Sequence, residues 1–186
     1  MYRRIEAMGL SLIRFPYEDY PPYFDIDVNA GEYAWKPVIV KKEFSKSDTP
    51  LVWMDAGDML RFPILWIRHC LRTVGFYSHR SSGTVEKWTH PGMYTALGLP
   101  VGWAGDRKPL NTSCVGFNPA NAVARALVDE WFAGAMDKNV IAPEGSSRAN
   151  HRQDQALMTL LAYRSGIVWK PSGGDRALVT HRDLPE

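Results

Sequence analysis

The chain has 186 residues, 45% of them hydrophobic and 12% aromatic, which suits one core of ordinary single-domain size and excludes a disordered tail or a fibrous repeat. Twenty-two Lys and Arg against 20 Asp and Glu leave a formal charge of +2, which argues against a sequence-independent grip on nucleic acid. Two cysteines, Cys70 and Cys114, exclude a disulfide framework and a thiolate zinc site, and the longest apolar runs, such as Ile64–Ile67, fall far short of the ~18 residues of a membrane span.

In chain order, Met1–Met8 reads as the tail of a helix stopped by Gly9, and Leu10–Phe15 as a short strand ended by Pro16. The apolar stretch Ala7–Ile13 behind Arg3 and Arg4 lacks a small-residue cleavage pattern, so no signal peptide is expected. Residues 16–31, aromatic, acidic and proline-rich, form an ordered loop. Tyr33–Phe44 is read as a helix, although Val38, Ile39 and Val40 also suit a strand. Pro50–Met54 is a buried strand running into Asp55, and Pro63 opens a helix carrying Ile64, Ile67 and Leu71 on one face. Gly75–Ser78 returns as a strand, Pro91–Leu97 forms a small helix, and Ser113–Phe117 is another core strand. Asn118 caps a helix with Pro119 in its first turn, burying Val123, Leu127, Val128, Trp131 and Ala135. Asn150 caps the next, with Gln153 reaching back and Leu157, Leu160 and Leu161 as the apolar stripe. Ile167–Trp169 and Leu178–Thr180 are closing strands. Strands alternating with helices imply a single α/β sandwich with a mostly parallel central sheet.

Within that frame the sharpest chemical feature is the apolar strand that ends on Asp55, Ala56, Gly57 and Asp58. In open α/β sheets ligands bind beyond the carboxyl ends of the strands, where two aspartates offer hard oxygens to Mg²⁺ or Mn²⁺; capping of the following turn explains the same spacing equally well. A strand-end aspartyl phosphatase would want a carboxylate at position 57, which is glycine. Asp154 and Gln155 fall in the first turn of a helix, where the macrodipole favours a carboxylate that orients or deprotonates a hydroxyl, or simply caps. His151 and Arg152 beside them suit phosphate or sugar, or solvent. Trp88, near His90 and Tyr94, offers a face for sugar stacking or for core packing, and His181 with Arg182 offers a late metal or diphosphate contact or a surface pair. The signatures of P-loop NTPases, dinucleotide-binding folds, zincins, serine hydrolases and zinc deaminases do not occur in the sequence.

Taken in order, YAWKPVIV, LVWMDAGD, TSCVGFN and HRQDQALMTLLAY resemble glycosyltransferases of the GT-A fold, over about Tyr33–Tyr163. The resemblance implies a single-domain, Rossmann-like α/β/α sandwich and a metal-dependent transfer of sugar from a nucleoside diphosphate to an acceptor hydroxyl of a carbohydrate or glycoconjugate. It places Lys36 and Asp55 at the donor and matches Asp154, beside Gln155, to the family's late acidic position as the catalytic carboxylate; Trp88, His151, Arg152 and Gln155, read from the residues themselves, are expected around the donor. Mn²⁺ or Mg²⁺ would be held by Asp55, Asp58 and, by order alone, His181. Two departures stand out: D-A-G-D sets Asp58 one place late against the D-x-D pattern, and the chain opens at the tail of the family's first helix, as a fragment or a divergent minimal form would. These motivate the alternative of an inactive carbohydrate-binding or scaffolding module. No nucleic-acid partner is expected, and the compartment is left open: cytoplasmic by default, luminal where an anchor precedes the chain.

Overall fold

A computed structural model describes residues 2–61, 63–167 and 178–179. Its centre is a three-stranded sheet of β1 (Leu51–Met54), β3 (Phe76–Arg80) and β4 (Leu110–Phe117), in the order β1-β4-β3. A two-stranded ribbon pairs β2 (Met59–Leu60) with β5 (Leu178–Val179). The helices are α1 (Tyr2–Ala7), α2 (Trp35–Phe44), α3 (Leu65–Thr73), α4 (Val85–Trp88), α5 (Pro91–Ala96), α6 (Ala122–Ala135), α7 (Lys138–Ile141) and α8 (Gln153–Arg164).

The sheet corrects the expectation of a Rossmann-like, mostly parallel sandwich. Both β1 and β3 pair with β4 antiparallel, with Val52 opposite Gly116 and Tyr77 opposite Gly116 on the other side. The β1-α3-β3 segment does look like a parallel crossover in sequence, and β1 and β3 do point the same way. They are not neighbours, because β4 arrives from the long 81–109 segment and fills the space between them in the opposite sense. Such an arrangement keeps the strand-helix-strand alternation while removing every parallel ladder from the described sheet.

Helix α6 packs between α2 and α8 on one side, where Trp131 of α6 meets Phe117 and Phe117 meets Phe44 and Phe76. Trp131, Phe76 and Phe117 are fully buried, and truncating such an aromatic typically costs about 3–5 kcal/mol. On the opposite face Leu71 of α3 and Val52 of β1 close over Gly116, where an added Cβ would lie 3.0 Å from the Leu71 side chain. β1 therefore has one face packed and one open, rather than the fully buried strand expected: Leu51 and Trp53 are half-buried, Val52 and Met54 exposed.

Smaller differences have local causes. Residues 10–15 form no strand. In the N-P-A-N run Asn118 holds the turn, accepting from the Ala120 N–H, while Asn121 caps α6 by accepting from the Ala124 N–H. Asn150 likewise accepts from the Ser147 N–H in the preceding loop, so α8 starts later without a side-chain cap. The expected strand Ile167–Trp169 lies beyond Ile167 outside the described residues, as does Thr180. Among the described residues no helix is long and apolar enough to cross a membrane.

Candidate functional site

Three sequence-distant elements bring ionisable groups to one point. Lys36 enters from the first turn of α2, Asp55 from the residue after β1, and Asp154 from the first turn of α8. The Lys36 ammonium lies 3.0 Å from Asp55 Oδ1, 3.2 Å from Asp55 Oδ2 and 3.5 Å from Asp154 Oδ2, and donates to the Thr112 carbonyl at 3.4 Å. Lys36 is only 2% exposed, and its charge also sits 5.9 Å from the ring centres of Tyr33 and Trp53. A cation near a helix N-terminus is opposed by the macrodipole, so the two carboxylates and the aromatic faces must supply what holds it.

The carboxylates are themselves fixed. Trp53 Nε1 donates to Asp55 Oδ1 at 2.6 Å, and the Asp55 N–H donates to the Ser113 carbonyl at 2.7 Å. Thr112 Oγ1 donates to Asp154 Oδ2 at 2.6 Å, while the Trp131 indole donates to the Asp154 carbonyl at 2.9 Å. Burial raises the Asp154 carboxyl above the usual range, against the opposing pull of Lys36 and Thr112. For Lys36 burial works against the charge, but Asp154 and Asp55 outweigh it and raise the amine further. The triad carries one positive and two potential negative charges, so Asp154 is the member poised to take or give a proton.

A β-bulge sets this geometry. Ser78 pairs with Val115 but His79 pairs with Asn111, which leaves Thr112, Ser113 and Cys114 without partners on β3. Bulges of this kind re-aim side chains. Here Thr112 reaches Asp154 and Asn111 Oδ1 accepts from the Ser113 N–H.

A second device is the backbone of 29–33, where Asn29, Ala30, Gly31, Glu32 and Tyr33 all have φ between 48° and 60°. Four of these are not glycine, and each left-handed non-glycine residue costs on the order of 1–2 kcal/mol. The Trp35 indole staples the turn by donating to the Ala30 carbonyl at 3.1 Å. The turn presents Glu32, whose Oε1 accepts from Asn29 and whose Oε2 accepts from Gln153 Nε2 at 3.1 Å. Gln153 has a positive φ of its own, 22°, at the first residue of α8. Two strained backbones thus meet through one hydrogen bond at the rim of the site.

Lys36, Asp55 and Asp154 line an open cleft of about 110 Å³ together with Tyr33, Asn111, Thr112, Ser113, Arg148, Arg152, Gln153 and Gln155. That volume admits one end of a ligand rather than the whole of a drug-sized molecule. The Arg148 guanidinium lies 5.6 Å from the Tyr33 ring centre and that of Arg152 stacks 4.2 Å above Trp88. Stacked guanidiniums of this kind are oriented for planar, bidentate recognition of phosphate or carboxylate.

Of the residues singled out in the sequence, Lys36, Asp55, Asp154, Gln155 and Arg152 therefore converge on the cleft. Trp88 does not line it and instead supports Arg152 from below. His151 is fully buried behind it: Nδ1 accepts from the His90 N–H and Nε2 donates to the Ile141 carbonyl, which makes it a neutral structural brace, with burial pulling its pKa down to about 4. Asp58 is buried away from the cleft, its N–H donating to the Asp55 carbonyl. Burial, helped by the charges of Asp58 and Asp55, pushes the Cys114 thiol up to about 12, so that cysteine is inert. His181 lies outside the described residues. Tyr33, Arg148, Asn111, Thr112, Ser113 and Gln153 were not anticipated as cleft residues; their only sequence signals are proximity to Lys36, to the core strand and to Asp154.

The described residues do not fit the divalent ion that the family resemblance implies. Lys36 and Trp53 engage the Asp55 oxygens, Asp58 is outside the cleft, and no three His, Cys, Asp or Glu side chains among the described residues gather as ligands. Comparison with protein-family models, curated proteins and solved structures finds no match to this chain.

Proposed function

We propose that this cleft transfers a sugar from a nucleoside-diphosphate donor to an acceptor hydroxyl. The observation that carries the reading is the buried Asp154 carboxylate, held by Lys36 and Thr112, in the same cleft as Arg148 and Arg152. Arginines suit a diphosphate, while Asn111, Gln153, Gln155 and the Asp55 carboxylate suit sugar hydroxyls. The ordered sequence motifs resemble those of sugar transferases, but the antiparallel sheet is not the one that family uses and the described residues do not fit its divalent ion, so the reading rests on the cleft residues.

In the transfer, Asp154 accepts the proton of the acceptor hydroxyl while that oxygen bonds to the anomeric carbon. The bond from the anomeric carbon to the diphosphate breaks, and the diphosphate leaves with the electron pair against Arg148 and Arg152. Stabilising charge on the leaving group is the electrostatic part of the barrier lowering, and proton removal the general-base part.

A binding module without turnover is favoured by one observation, the engagement of both Asp55 oxygens by Lys36. Calorimetric titration with UDP and GDP, with and without Mn²⁺, tests the donor site and reads whether a divalent ion accompanies the diphosphate. Binding that weakens by about tenfold in R148A and R152A is expected, a magnitude typical of one charged hydrogen bond. Absence of binding by both nucleotides in either condition would refute the donor site. Binding without transfer to any saccharide acceptor favours the module.

A further inference from the structure

On the far face of the sheet from the cleft, the segment from β2 through α3 combines exposed apolar side chains with cations in an unusual way. Met59 is 59% and Leu65 68% exposed, Leu60 and Met54 are exposed as well, and Val52 and Ile64, also exposed, line one groove with Arg68 and Arg72. Arg61, Arg68 and Arg72 are exposed too, and none of them forms an ion pair with a described residue. No Asp or Glu occurs from residue 59 to residue 85, although the chain as a whole is close to charge balance. Between α3 and β1 runs a groove of about 540 Å³ lined by Pro50, Val52, Ile64, Leu71 and Asn118, with Arg68 and Arg72 and without a carboxylate.

We propose that this face docks on an anionic lipid surface. Ile64 at the N-cap of α3 and Arg68 and Arg72 within it follow four residues apart and line the same groove, so the helix presents an apolar end and a cationic end to the same side. Met59 and Leu60 of β2 and Leu65 of α3 enter the acyl boundary, and Arg61, Arg68 and Arg72 meet the phosphate or carboxylate of the headgroups, the pairing of apolar and basic side chains that interfacial binding uses. The groove, of the size that small apolar ligands occupy, receives an acyl chain with its headgroup at the arginines. An acidic protein segment would satisfy the arginines but leave the apolar face of Met59 and Leu65 uncovered, which is why lipid is preferred. The inference stands on this face alone and does not depend on the donor site.

Co-sedimentation with neutral phosphatidylcholine vesicles and with vesicles containing phosphatidylglycerol tests it. Binding to the anionic vesicles alone is expected, weakening about fivefold for each of R68A and R72A, and with added salt. L65S weakens it as well, and because Leu65 is exposed its thermal transition stays at the wild-type value. Equal sedimentation with neutral vesicles, or arginine variants that bind anionic vesicles like the wild type, overturns the proposal. So does capture by soluble poly-glutamate without vesicle binding, which would assign the face to an acidic protein partner.

Discussion

Replacing Lys36 with methionine removes the one ammonium between Asp55 and Asp154 while keeping the side-chain length. At an effective dielectric of about 20, each ammonium–carboxylate contact at 3.0–3.5 Å is worth roughly 5 kcal/mol before desolvation is subtracted. Most of that offsets the cost of burying Lys36 and Asp154, and Asp55 is partly screened at 30% side-chain exposure, so the loss is expected at roughly 3–5 kcal/mol. In a chain of this length that is a fall in Tm of about 10 °C. The pH dependence gives the sharper signature. Asp154 already titrates above its ordinary 3.8, and without Lys36 it rises further. A group with a raised folded pKa contributes stability in its protonated form, present in full below the unfolded value and lost as pH rises through the folded one. The deficit of K36M should therefore shrink as pH falls towards 4 and be largest at neutral pH, and K36M/D154N should recover part of it. Urea denaturation of the two variants at pH 5 and pH 7.5 measures this. A K36M loss below about 1 kcal/mol, or one independent of pH and of D154N, would refute the account of the triad.

Two further predictions concern the frame of the site. At Gly31 an added Cβ would lie 2.4 Å from the Phe24 carbonyl oxygen in a left-handed backbone, so G31A should lower stability by about 2 kcal/mol or more and displace Glu32 from Gln153; a wild-type Tm in G31A would remove the strained turn from the account. His151 resists protonation in the fold, to about 4 from 6.5, so stability should decline by about 3 kcal/mol as pH falls from 6.5 to 4, and its ring resonances should report the neutral Nε2–H form at pH 6.

Where the local pattern carried its own constraint, the sequence was informative. A run of apolar residues into Asp55 did yield a strand with the aspartate just beyond its end, and Asp154 did fall in the first turn of α8. The order β1, α3, β3 was visible as well, but no local signal says whether a later strand will insert between two earlier ones, and β4 does so. Lys36 could be named but not its burial, because lysine is normally exposed and only the meeting of Asp55, Asp154 and the Thr112 carbonyl makes the buried charge tolerable. The left-handed turn was hidden for a related reason: Asn29 and Gly31 tolerate that conformation, but Ala30, Glu32 and Tyr33 disfavour it, and tertiary contacts around Gly31 and Trp35 impose it. His151 shows the reverse error, a histidine beside an arginine at a helix start whose ring turns inwards as a brace.

The central claim is that Asp154 removes a proton in sugar transfer within a cleft assembled around Lys36. Its most direct test is D154N, with nucleotide affinity and transfer to a saccharide acceptor measured on the same preparation. The account predicts UDP or GDP affinity within about twofold of wild type and transfer lower by a factor on the order of 10²–10⁴. Undiminished transfer in a folded D154N protein that still binds the nucleotide would contradict it.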